Sequence, residues 1–335
     1  MSSSSRRTFI GSTLSLAGAS TLAPAFIGSA TTASAADVNY EAVSLATAPY
    51  RPVRIIDTDA MPWPAPMDAL GWRVKTLFEN DDTGDHLMII DVPIGSEGGA
   101  NHYHDFHEWA YWLTGDFVNN EYTHPDQRLG SFQQFREGIF LDRPAYSLHG
   151  GEPERLDSQV GGTCLIMEEE GKTFSVTPGD PRYSDDYKQV RQWTVPRIID
   201  TLQDIPWEVA NGVDGVFVKH LVEDQVRGFR ATMWRLSAGW DSARAPEFAR
   251  AYYYRQAHQF NFVIAGDMRI TAYREPGKPA KTFTLGPNYY FERPPMSMFG
   301  LVDGQVSEFG AVWLEVTYGR GTAINNVPIE APNFT

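Results

Sequence analysis

Gly98-Gly-Ala-Asn-His102-Tyr-His104-Asp-Phe-His107-Glu108-Trp-Ala-Tyr-Trp-Leu-Thr-Gly115-Asp116 decides how the rest of the chain is read. Residues i and i+2 of a β-strand point to one face, so His102 and His104 reach a common point. A short bend after His104 lets the next strand, Glu108-Trp-Ala-Tyr-Trp-Leu, bring Glu108 to the same point. Gly115-Asp116 reads as a turn into the strand that follows. Two imidazoles and a carboxylate converging with open positions form an arrangement used for divalent transition metals.

The spacing His-x-His-x3-Glu-x6-Gly resembles the first motif of the cupin superfamily. The second motif follows as Gly138-Ile-Phe-Leu-Asp-Arg-Pro144-Ala-Tyr146-Ser-Leu-His149, with Tyr146 in place of the inner glycine. The resemblance implies a metal site of His102, His104, Glu108 and His149. Ser96 stands where the family has its leading glycine, and Pro153 where it has asparagine. Neither change removes a ligand.

The chain has 335 residues, which suits two domains. Its formal charge of −14 argues against a nucleic-acid partner or an anionic membrane surface. With 9 Trp, 15 Tyr, 19 Phe and abundant Gly and Pro, it favours short strands and turns over long helices. The single cysteine, Cys164, cannot form an internal disulfide, and the apolar run Thr163-Cys-Leu-Ile-Met167 reads as a buried strand.

Ser5-Arg6-Arg7-Thr8-Phe9-Ile10, a weakly apolar stretch and Ala33-Ser34-Ala35 resemble a twin-arginine export signal cleaved before Ala36. This implies a periplasmic or secreted protein, exported folded through the twin-arginine machinery, with no membrane span after processing. Residues 1–35 carry only Arg6 and Arg7 as charges, so their removal takes −14 to −16.

The remaining chain repeats itself. Arg54-Ile-Ile-Asp-Thr58 recurs as Arg197-Ile-Ile-Asp-Thr201, Pro62-Trp63 as Pro206-Trp207, and Val74-Lys75 as Val218-Lys219. Gly115-Asp116 matches Gly266-Asp267, and Arg143-Pro144 matches Arg293-Pro294. This register sets Tyr253, Arg255, Gln259 and Phe299 opposite His102, His104, Glu108 and His149. The second half keeps the scaffold signature and loses every ligand. His107 has His258 as its counterpart beside that ligand-free site, so packing or a structural hydrogen bond explains it better than a metal. His86 and His124 read as surface residues.

The expected architecture is all-β, two tandem jelly-roll barrels: residues 36–180 with the metal site and 181–335 without it, joined by a linker at about 177–191. Three imidazoles and one carboxylate leave an octahedral metal two open positions, which favours Fe, Mn, Ni or Cu over a closed structural zinc. Adjacent open positions suit a small chelating substrate such as an enediol, diketone or hydroxy-aromatic. Glu108 is the one ligand that can also act as a base. Phe106, Trp112 and Tyr146 lie near the ligands and are candidates to line a substrate pocket. The resemblance to quercetinase-like dioxygenases, whose ligands concentrate in one half, implies a metal-dependent dioxygenase. A decarboxylase, isomerase or lyase of a small acid or sugar is the alternative, and a non-catalytic metal-binding or ligand-binding cupin is a third. A monomer or homodimer fits either enzyme.

Overall fold

Strands and turns account for the fold, and among the described residues there is no α-helix, only two short 3-10 turns. The computed structural model describes residues 52–67, 71–97, 99–124, 127–151, 155–180, 195–245, 252–254, 258–272, 280–294, 297, 299–302, 304–318 and 327–329. The export signal and most of the linker lie outside the described residues. Residues Leu45–Thr335 form one contact unit. No described helix is long and apolar enough to cross a membrane.

Three curled sheets build two barrels. In the first barrel, Thr173–Ser175, His102–His104, His149–Gly150, Glu108–Glu121, Gly162–Glu168, His86–Val92 and Arg73–Glu79 pair in that order. In the second, Tyr289–Arg293, His258–Gly266, Ala311–Tyr318, Phe229–Leu236 and Val216–Asp224 form one sheet, facing a five-stranded sheet with Met268–Ala272 and Phe299–Leu301.

Alternation within each strand divides the apolar side chains between two places. Met88, Ile90, Ala110, Trp112, Cys164 and Ile166 fill the first barrel. Their neighbours Leu87, Ile89, Trp109, Tyr111, Leu165 and Met167 point the other way and pack against Phe260, Phe262, Tyr290, Leu314 and Val316 of the second barrel. These strands are buried on both faces, which is why they read as continuous apolar runs. Trp109 is fully buried, and its Nε1 donates to the Tyr318 hydroxyl at 2.7 Å.

The repeated Arg-Ile-Ile-Asp-Thr motif is a strand exchanged between halves. Arg54–Asp57 pairs antiparallel with Tyr289–Glu292 of the second half. Arg197–Asp200 pairs with Ile139–Asp142 of the first. Thr58 Oγ1 donates to the Asn288 carbonyl and Thr201 Oγ1 to the Gly138 carbonyl, each at 2.7 Å. Lys75 donates to the Thr58 carbonyl under the Trp63 ring, and Lys219 to the Thr201 carbonyl under the Trp207 ring. The motif therefore crosses any boundary drawn in the linker.

Gly115-Asp116 is not the turn expected from sequence. The strand runs unbroken from Glu108 to Glu121, with a bulge between Trp112 and Thr114, and exchanges its partners along its length. Gly115 has φ +75°, and a Cβ there would lie 1.9 Å from the Gly161 carbonyl oxygen. The glycine admits a left-handed kink against a neighbouring backbone, and the strand bends instead of ending.

Candidate metal centre

The histidine triad rests on a single rung of the sheet. His102 lies directly opposite His149, and His149 opposite Glu121, so the three side chains share one face. His104 joins them from two residues along its strand. The ligand nitrogens of His102, His104 and His149 all lie within 4.8 Å of one another. Each Nδ1 faces an oxygen: Ala100 O at 2.8 Å, Thr173 Oγ1 at 2.9 Å and Ser147 O at 2.9 Å. The two carbonyls hold the proton on Nδ1 of His102 and His149 and leave their Nε2 lone pairs for the common point, while the Thr173 hydroxyl can pair with either tautomer of His104.

Burial favours the ligating form of two of the imidazoles, His102 and His149. It pushes His102 below its ordinary pKa and His149 well below, where the Arg143 charge adds to the effect. Neutral imidazoles with converging lone pairs fit a divalent transition metal.

Glu108 is not one of the tight triad, but its Oε2 lies 3.4 Å from His104 Nε2. Its other oxygen, Oε1, accepts from Arg143, whose second Nη donates to Glu121 Oε1. All three are buried. Burial opposes ionisation of Glu108, yet Arg143 and the two nearby histidines draw its carboxyl down to about 2. Arg143 thus turns Glu108 so that one oxygen faces the triad. Burial pushes the Glu121 carboxyl up against the pull of Arg143, and its Oε2 has no hydrogen-bond partner.

The aromatic candidates are dispersed. Phe106 stacks on His104, with ring centroids 4.5 Å apart. Trp112 stacks on Phe135 inside the barrel at 4.4 Å. Tyr146 faces Tyr103, adopts φ +66° and donates its backbone N–H to the His104 carbonyl. It takes the left-handed conformation that suits the family's glycine at that position. None of the three lines the cavity beside His102. That cavity, of about 170 Å³, is walled by Trp72, Phe117, Asn119, Asp157 and glycine-rich backbone.

Sequence reasoning missed Glu121, Asn119 and Asp157, and treated Arg143 only as scaffold. One signal was present: in the repeat register their counterparts are uncharged, except that arginine is kept. His107, excluded as a ligand, donates its Nε2–H to Asp142 Oδ1 (2.6 Å), as His258 Nε2–H does to Glu292 Oε1 (2.8 Å). Asp142 faces Arg197 across the exchanged strand, and Glu292 faces Arg54. Both histidines therefore brace the exchange.

In the second barrel, Arg293 donates to Gln259 Oε1 at 2.9 Å and lies over the Phe299 ring. Phe299 sits opposite Tyr253 as His149 sits opposite His102. The side chains of Tyr253 and Arg255 lie outside what is described. His86 meets Glu168 at 3.2 Å, whose hydrogen bond outweighs desolvation and raises its pKa to about 9. Cys164 is buried, as expected, with its thiol pushed up to about 12 by burial.

No protein-family model matches the sequence, and no curated protein matches it. Solved structures do. The Lactobacillus farciminis oxalate decarboxylase formate complex superposes with TM-score 0.52 at 11% identity, covering 82% of this chain and 88% of that one. The Bacillus subtilis oxalate decarboxylase, with Mn(II) centres, gives TM-score 0.50 at 15% identity, covering 82% and 79%.

The fold is that of a bicupin. At such identities the likeness establishes architecture and nothing finer. In this bicupin the described histidine triad belongs to the first barrel, while Gln259 and Phe299 take the corresponding places in the second.

Proposed function

We propose that this bicupin is a metal-dependent enzyme acting on a small chelating carboxylic acid, with loss of CO2 as its reaction. The observation that carries the reading is the convergence of three imidazole nitrogens with Glu108 Oε2 held toward them by Arg143. His102, His104, His149 and Glu108 would hold one divalent ion, Mn, Fe, Ni or Cu. When bound, the ion supplies Lewis acidity that draws electron density from a chelated carboxylate. The neighbouring solved structures are decarboxylases, which supports this alternative over the dioxygenase expected from the one-sided ligand layout.

The overall change is R–COO⁻ + H⁺ → R–H + CO2: the C–C bond breaks, its electron pair stays on R, and a proton replaces the carboxyl group. Glu121, a buried carboxyl on the His102–His149 rung with one oxygen unpartnered, is placed to hold that proton. The single-barrel ligand set still favours a second reading, O2-dependent oxidation, because nothing in the described second barrel supplies a partner metal.

Protein loaded separately with each metal, and given a panel of small oxo- and hydroxy-acids, should release CO2 without stoichiometric O2 uptake. His102→Ala, His104→Ala and His149→Ala should each lower bound metal from near one per chain toward zero. Matching O2 consumption would favour the dioxygenase reading, and full metal in a triple variant would sink the site.

The export expectation stands as a second proposal. Changing Arg6 and Arg7 to Lys should leave unprocessed precursor in the cytoplasm, and normal maturation of that variant would refute it.

A further inference from the structure

The two barrels differ in more than their ligands. Glu121 opposite His149 corresponds to Ala272 opposite Phe299. Two residues earlier on each strand stand Asn119 and Ile270. The Val118 N–H donates to the Asp157 carbonyl at 2.6 Å, as the Arg269 N–H does to the Val306 carbonyl at 2.8 Å, so Asp157 corresponds to Val306. Ile270 and Val306 are fully buried in the apolar filling of the second barrel. At the same places the first barrel carries an amide and a carboxylate, and both line the 170 Å³ cavity beside His102.

These polar groups are buried, and the carboxylate is not fully satisfied. Asp157 is 3% exposed. Its Oδ2 accepts from the Gly99 N–H at 3.0 Å, while Oδ1 has no hydrogen-bond partner. Asn119 is buried and its Oδ1 accepts from the Asn120 N–H at 3.0 Å, which leaves its amide N–H groups as the donors of the pair. A buried acceptor without a donor is costly, so such a pair in a cavity calls for a ligand group that both donates and accepts. A hydroxyl does both. A carboxylate does not, and the charge of Asp157 would repel one. At about 170 Å³ the cavity has room for a small metabolite.

We propose that Asp157 and Asn119 form a hydroxyl-binding subsite beside the histidine triad, selecting a small hydroxylated carboxylic acid over its unhydroxylated counterpart. This deepens the proposed function and rests on its reading of a metal-held carboxylate. The metal side takes the carboxylate, and the subsite takes a hydroxyl further along the same molecule. Trp72 and Phe117 close the cavity with apolar surface.

Titration calorimetry of the Mn(II)-loaded full chain with tartrate and with succinate tests this, since the two differ only in hydroxyl groups. Tartrate should bind about ten- to a hundredfold more tightly, as a hydrogen bond to a charged acceptor allows. Asp157→Val and Asn119→Ile, which copy the second barrel, should each remove most of that preference while metal content stays near that of the parent. A preference unchanged in both variants would assign it to chelation by the metal alone and overturn the subsite. Equal binding of the two acids by the parent would overturn it as well. Should Asp157→Val fail to fold by circular dichroism, Asp157→Leu removes the acceptor with the shape kept. CO2 release is measured separately: a subsite-dependent tartrate preference without CO2 release refutes the decarboxylase reading and leaves the subsite standing.

Discussion

Arg143→Met destabilises the protein by about 3–5 kcal/mol at neutral pH, the range for breaking one partner of a buried ion pair. Arg143 is the cation between Glu108 and Glu121, and all three are buried. Without it, two carboxylates face each other in a water-poor interior. The Glu108 contribution to the pH dependence should invert. In the parent, Glu108 is held at about 2, below its ordinary 4.5. Its ionic pairing therefore stabilises above about pH 4.5 and is lost as pH falls through 2. In the variant, burial raises the carboxyls unopposed, so stability is greatest in mild acid and falls as pH rises. Urea unfolding of the metal-free proteins between pH 2 and 8 checks this. A variant as stable as the parent at pH 7 would show that Arg143 is not the counter-charge described.

Severing the chain near Asp180 leaves neither half soluble alone. Residues 36–180 would lose Arg197–Asp200 from the Ile139–Asp142 edge and keep Arg54–Asp57 without its partner strand. They would also expose Leu87, Ile89, Trp109, Tyr111, Leu165 and Met167. At about 1.5–3 kcal/mol per large apolar side chain, that face contributes on the order of 10 kcal/mol. This is as large as the whole net stability of a typical domain. The fragment should aggregate when expressed alone, whereas co-expression of 36–180 with 181–335 should yield a soluble complex. Size-exclusion chromatography distinguishes the outcomes; a monodisperse, metal-binding fragment of 36–180 would mean that the second barrel is dispensable for folding.

Much of this was legible in the chain. Short apolar, β-branched runs such as Leu87–Val92 and Thr163–Met167 gave their strands because composition and bounding turn residues are local properties. His102 and His104 fall on one face because strand alternation is local too, and the repeat foretold two barrels of one design. Gly115 was misread because a glycine that ends a strand and one that kinks it carry the same letter. Only the Gly161 backbone beside it decides.

The sequence by itself determined the all-β class, the duplication and the meeting of His102 with His104, since each depends on spacing along one chain. The tertiary structure alone decided the rest. Arg-Ile-Ile-Asp-Thr could be seen to recur, but its exchange between barrels is a pairing between strands more than 50 residues apart. Likewise Arg143, Glu121, Asn119 and Asp157 become parts of one site only when sheet register sets them around the triad. Local spacing fixes which way a side chain points. What it then meets depends on how distant strands pair.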